Sequence, residues 1–246
     1  MKKLSFYSFL IFFASLSSCA SGQFNIPDVS GLGLPKTTGS TNRPLTEAEV
    51  ANGLKEALIQ GTSKGTAQAS QTNGYYGNSL IRIPFPPEIQ KVETTLRNMG
   101  MGSEVDKFVV SLNRAAEDAA TSAKPIFISA IKSLTIRDVW NILRGEKDAA
   151  TQYLKRTTTP QLTASFKPII QKSLDKVNAT KHYGTIITAY NKVPLVQKVN
   201  PDLNAYATDK AIAGLFTLVA QEEANIRENP IARTTELLKR VFGSKG

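Results

Sequence analysis

The chain of 246 residues has one cysteine, one histidine and one tryptophan. With one Cys and one His, a Cys/His zinc site cannot be assembled. With one Cys, no internal disulfide forms. Neither G-x-x-x-x-G-K-[ST] nor G-x-G-x-x-G occurs, so the two common phosphate-cradling loops are missing. Runs alternating apolar and polar residues, the mark of half-buried strands, are almost absent. The apolar run Leu4–Leu16 is about a dozen residues, too short to cross ~30 Å of hydrocarbon. No nucleic-acid-binding motif is present. No cofactor is expected.

What is present begins at the N-terminus. MKKLSFYSFLIFFASLSSC has Lys2 and Lys3, then the apolar run, then Ser17 and Ser18 before Cys19. That order is the layout of an export signal. Leu16-Ser17-Ser18-Cys19 resembles the bacterial lipobox. The resemblance implies cleavage between Ser18 and Cys19, with diacylglycerol and a further acyl chain on Cys19. One acyl chain holds a protein marginally, whereas two or more, at ~0.8 kcal/mol per buried CH₂, hold it stably. The lone cysteine thus reads as a lipid anchor, and the mature chain has no free thiol.

Residues 20–44 are rich in Gly, Ser, Thr and Pro and nearly uncharged. Such a segment reads as a flexible tether with a root-mean-square reach of roughly 25–30 Å. No acidic residue stands near Ala20. By analogy with sorting rules the expected address is the outer membrane, facing the periplasm. The expected organisation is 1–18 signal, 19–44 lipidated cysteine and tether, and 45–246 one helical domain.

Helix signals dominate from Leu45. Thr46 and Glu49 form a capping box, and Val50, Leu54, Ala57 and Leu58 follow as an apolar stripe. Gly61 and Gly65 weaken that helix and leave its length open. Residues 71–87 read as non-helical, with turns at Asn73-Gly74 and Gly77-Asn78 and a short extended piece at Leu80–Ile83. Helices are expected over 88–99, from Gly102 onward with a kink or division at Pro125, and over 135–144, 147–155, 161–178, 182–192 and 205–228. Asn229-Pro230 should restart a last helix ending near Gly243. The expected class is an all-α bundle of about eight helices.

Formal net charge is +10, falling by two with loss of Lys2 and Lys3. The excess favours anionic lipid or an acidic envelope polymer. The basic residues are scattered in sequence, which also fits a plain solvated surface. No protein partner is indicated.

Candidate chemistry is sparse. Gly61-Thr62-Ser63-Lys64-Gly65 matches the G-x-S-x-G elbow, which requires a strand-to-helix turn and a histidine base. Here Ser63 follows an amphipathic helix, and the one histidine, His182, is flanked by lysine and tyrosine. A triad of Ser63, His182 and Asp175 is therefore disfavoured. Asp202 opens like a calcium loop, but Ala207 and Ala213 stand where glycine and glutamate are needed; Asp202 reads better as a helix cap. A polar cluster remains: Asn113, Arg114 and Glu117 on one predicted helix, Glu222 and Arg227 on another. It suits either an interhelix ion-pair network or the polar end of a ligand pocket.

The segments LTEAEVANGLKEAL, IRIPFPPEI, SLNRAAEDAA, PIFISAIKSLTIRD, AATQYLKRTTTPQL and DLNAYATDKAIAGLFTLVAQEEANIRENPIARTTELLKRVFG resemble bacterial domain-of-unknown-function family 4197. The likeness runs from Leu45 to Gly243. It implies an exported, mostly helical, often lipid-anchored envelope protein, and carries no catalytic residues with it. Three readings follow: a non-enzymatic binding or structural lipoprotein, which is preferred; a carrier or chaperone for an apolar ligand; and, least favoured, a hydrolase.

Overall fold

Thr46 starts the folded chain as anticipated: its hydroxyl accepts the N–H of Glu49, and the Glu49 carboxylate accepts the N–H of Thr46. The structure, a computed structural model, describes residues 44–192, 194–195, 198–200 and 202–243, with backbone alone at 186, 189 and 190. The signal, the Ser18–Cys19 cleavage site and the tether up to residue 43 lie outside the described residues.

Among the described residues there is no strand. The α-helices are α1 Glu47–Ala69, α2 Gln90–Asn98, α3 Gly102–Ala120, α4 Ala123–Lys132, α5 Ile136–Arg144, α6 Ala149–Asp175, α7 Ala179–Tyr190, α8 Leu203–Glu228 and α9 Glu236–Gly243. Short 3₁₀ turns cover Pro87–Ile89 and Pro230–Ala232. The fold is a single all-α domain. At its centre α8 is packed between α1 and α6. α3 lies against α6 and α8, α4 bridges α1 and α6, α5 contacts both, α7 rests on α6 and α8, and α9 covers α1.

α1 runs unbroken through Gly61 and Gly65. Both are buried, and the missing side chains let α8 approach: a Cβ on Gly65 would lie 3.5 Å from the Leu218 backbone, and one on Gly61 3.4 Å from Glu222 Cβ. Glycine costs helix propensity, and here the close packing of two helices offsets it. Thr62 and Thr66 bond back to the Leu58 and Thr62 carbonyls, so their hydroxyls are satisfied within the same interface.

Two expectations fail for identifiable reasons. The helices expected over 147–155 and 161–178 are one helix, α6, with Pro160 and Pro168 inside it. Both prolines face solvent, eight residues apart, while Leu154, Thr158, Leu162, Phe166, Ile170 and Leu174 are buried. A proline removes one N–H, and the residues four before them, Arg156 and Ala164, are exposed as well. Burial of the opposite stripe keeps the helix continuous. Nor does the last helix start at Pro230. Asn229 Oδ1 accepts the Ile231 N–H at 3.0 Å and closes only a 3₁₀ turn; α9 begins at Glu236. Pro125 behaves as expected: α3 ends at Ala120, and Pro125 sits in the first turn of α4, where no N–H is needed.

The α1–α8 contact yields a graded test. Gly65→Ala is expected to leave stability within about 1 kcal/mol of wild type or raise it, because helix propensity improves and the new Cβ meets ordinary contacts. Gly65→Leu is expected to cost about 1–3 kcal/mol by forcing the helices apart. Urea denaturation followed by helical circular dichroism measures both. Equal loss in the two variants would show that the contact is not the constraint.

Candidate functional site

The polar residues singled out on α3 converge on residues 71–89, the one long stretch between α1 and α2. This stretch is partly buried, and before Pro87 it is not helical. Its side chains alternate: Ile81, Ile83 and Phe85 are buried, whereas Leu80, Arg82 and Pro84 are exposed. That is strand-like periodicity with no neighbouring strand. Asn113, fully buried on α3, supplies the pairing. Its Oδ1 accepts the Ile83 N–H at 2.8 Å, and its Nδ2 donates to the Ile83 carbonyl at 2.8 Å and to the Val109 carbonyl at 2.7 Å.

One turn along, Glu117 Oε1 accepts the N–H groups of Tyr75 and Tyr76 at 3.1 and 3.2 Å. Its Oε2 pairs with Arg114, whose Nη2 donates to Asn73 Oδ1 at 2.7 Å. Asn73 sits at φ 67, a left-handed turn that asparagine tolerates. The Tyr75 hydroxyl donates to the Ala211 carbonyl on α8 at 2.6 Å. Burial, and then the Glu117 charge, push the Tyr75 pKa well above the usual phenol range. Gly214 leaves room for this ring: a Cβ there would stand 2.8 Å from Tyr75 Cε1. The three α3 residues therefore form a clamp for a loop.

On α8 the structure shifts the acid by one residue. Glu222, the sequence candidate, lies on the stripe facing α1 and pairs at the rim with Lys64, 2.7 Å away. The buried acid is Glu223. It accepts the N–H of Ala150 at 3.0 Å, the N–H of Thr151 at 2.8 Å and the Thr151 hydroxyl at 2.7 Å. Arg227 donates to it from Nε and Nη2, and Nη2 also reaches the Ile142 carbonyl at 2.9 Å. Ala150 and Thr151 form the first turn of α6, whose preceding residue Asp148 makes no side-chain cap. Glu223 thus caps α6 from another helix, and its charge suits the positive end of the helix dipole. A stripe at 212, 216, 219, 223 and 226, all buried, carries the signal for Glu223 in the sequence.

Every buried side-chain donor and acceptor in these clusters has a partner. Among the described residues no buried side-chain nitrogen or oxygen lacks a partner. The apolar cavity beside Glu223, bounded by Leu54, Leu58, Val219, Ile226 and Phe242, has about 20 Å³ of free space. That is room for one water. An open polar depression of about 390 Å³ lies outside the loop, edged by the neutral side chains of Gln68, Gln71, Asn73 and Asn78.

The remaining candidates are not brought together. Ser63 lies inside continuous α1, not on a strand-to-helix turn. His182 is exposed on α7, which packs on α6 and α8. Asp175 accepts from Gln171. Asp202 caps α8, its Oδ1 accepting the Ala205 N–H at 2.9 Å. No group of three or more His, Cys, Asp or Glu among the described residues is placed to hold a metal ion.

Two outcomes follow. Hydrogen exchange of Glu117→Ala should deprotect the Tyr75 and Tyr76 amides, and that of Asn113→Ala the Ile83 amide, with α6 and α8 still protected. Glu223→Ala should instead lower global stability by about 2–4 kcal/mol, since it strands the half-buried Arg227 and leaves the buried N–H groups of Ala150 and Thr151 without a partner. Unchanged protection at Tyr75, Tyr76 and Ile83 would refute the clamp. Alkaline pH provides the second. Burial raises Tyr75 and Tyr206 and pushes Tyr183 up to about 12. The folded phenols hold protons that the unfolded chain releases near pH ~10. Their stabilisation is complete below that pH and is lost as pH rises, for Tyr183 between about 10 and 12. Denaturant midpoints should fall above pH ~10, with phenolate absorbance appearing in step with unfolding.

No curated protein and no solved structure matches the chain. The family model described as protein of unknown function (DUF4197) matches residues 44–243, from the residue before Leu45 to the end of α9. The whole described helical domain is covered by that match, and the chain belongs to the DUF4197 family of proteins of unknown function.

Proposed function

We propose that this protein is a membrane-anchored envelope lipoprotein whose helical domain acts as a non-enzymatic binding or structural module. The observation that carries the reading is the closure of the interior. Asn113, Glu117, Glu223 and Arg227 spend their hydrogen bonds inside the fold, and the cavity beside Glu223 holds about 20 Å³. A domain built this way meets other molecules with its outer surface. The lipobox-like Leu16–Cys19 and the Gly/Ser-rich segment after it support a tethered placement, by analogy at the outer membrane facing the periplasm. The small cavity speaks against a carrier of apolar ligands, which needs a pocket of roughly 300 Å³ or more.

The test is metabolic labelling of the full-length chain with an alkyne analogue of palmitate in a Gram-negative host. The wild type should take up label and sediment with membranes. Cys19→Ser should be unlabelled and lose that sedimentation. A wild-type chain that is unlabelled and remains in the soluble fraction would overturn the anchored reading.

A further inference from the structure

The net positive charge of the domain arises in one hairpin and the loop after it. Residues 149–200 hold eight Lys or Arg and one acid, Asp175, whereas the flanking parts 44–148 and 201–243 are close to balanced. This stretch is α6, the turn after it, α7 and the following loop. All eight basic side chains are exposed, and among the described residues none is in an ion pair. Elsewhere in the domain acids stand among the cations, and some pair with them: Lys64, Arg97, Arg114 and Arg227 each hold a carboxylate.

The same surface exposes large apolar side chains at both ends of α7. Val177, in the turn before it, is 54% exposed, and Leu195, in the loop after it, is fully exposed. Leu195 also has φ 68, a backbone conformation that a bulky residue seldom adopts. Between them the outer face of α7 shows Lys181, Thr185 and Thr188, and Lys176, Lys192 and Lys198 flank the two apolar tips. The inner face fixes the helix to the body: Tyr183 stacks on Phe108 at 6.3 Å, and Asn191 bonds both the N–H and the carbonyl of Val199.

We infer that the outer face of α7, with its apolar tips Val177 and Leu195, is a docking surface for an anionic lipid bilayer. Unpaired lysines attract anionic headgroups, and apolar tips beside them gain from entering the interface. An acidic polysaccharide would satisfy the lysines but offer the tips nothing, so the combination favours a membrane. The inference deepens the tethered reading: the domain lies on a bilayer surface by its own contacts, independently of acyl chains.

The experiment uses the unacylated chain from Ala20 to Gly246, which retains the complete compact unit 44–246. It is floated with vesicles of phosphatidylcholine alone or mixed with phosphatidylglycerol. Binding is expected only to the mixed vesicles, and to disappear near 1 M salt, where screening reaches ~3 Å. Changing Lys176, Lys181, Lys192 and Lys198 together to Gln should cut partitioning about a hundredfold or more. Val177→Ser with Leu195→Ser should cut it several-fold. Changing Lys64, Lys91, Lys107 and Lys239 to Gln should leave it unaltered, and circular dichroism checks that every variant is folded. No binding to mixed vesicles, or equal loss from the control set, would overturn the proposal. So would binding to dextran sulfate as tight as to vesicles and indifferent to the two serine changes. Because no lipid is attached, these failures say nothing against acylation at Cys19, and a failed palmitate label says nothing against this surface.

Discussion

A segment of turns and short extended chain inside a helical protein has no regular ladder to complete its hydrogen bonds, and residues 71–86 present that problem in this fold. Buried backbone groups left unpaired cost about 1–3 kcal/mol each. Asn113 answers for Ile83 by offering a carbonyl oxygen and an amide together, as a neighbouring strand would. Glu117 answers for Tyr75 and Tyr76 with one oxygen shared between two N–H groups. Once the segment is held, Tyr75, Ile81, Ile83 and Phe85 become core residues between α3 and α8. Asn191 repeats the device on Val199 after α7.

Glu223 meets the complementary need. The first turn of α6 is buried against α8 and α5, so its free N–H groups cannot turn to water. A carboxylate from α8 satisfies two of them, and Arg227 balances its charge. Charged groups in a helical core suggest chemistry when read alone. With all partners in view, Glu117 and Glu223 each hold backbone N–H groups of another element. On the outside the feature that stands apart is the hairpin of α6 and α7 with the loop after it, where eight cations stand with a single acid.

Much of the architecture was legible along the chain because its signals are local. The capping box at Thr46–Glu49, the cap at Asp202 and the break before Pro125 each depend on a few neighbouring residues, and each lies where expected. The two prolines of α6 misled because their cost depends on which side of the helix meets water. Gly61 and Gly65 misled because their benefit lies in α8, more than a hundred residues away. For the polar cluster, the Arg114–Glu117 pair was readable from its spacing of three, but its true task, holding residues 73–76, was not.

By itself the sequence determined the helical class, most helix starts and the lipobox-like cysteine, since periodicity, caps and composition are properties of a single stretch of chain. Tertiary structure alone decided whether Glu222 or Glu223 is the buried acid. α8 is covered on more than one side, so apolar stripes overlap around it, and two residues 100° apart face different neighbours: Glu222 looks to α1 and Lys64, Glu223 to the start of α6. Periodicity reports that a face is buried but not what it is buried against, and for a polar residue the partner is what fixes its role.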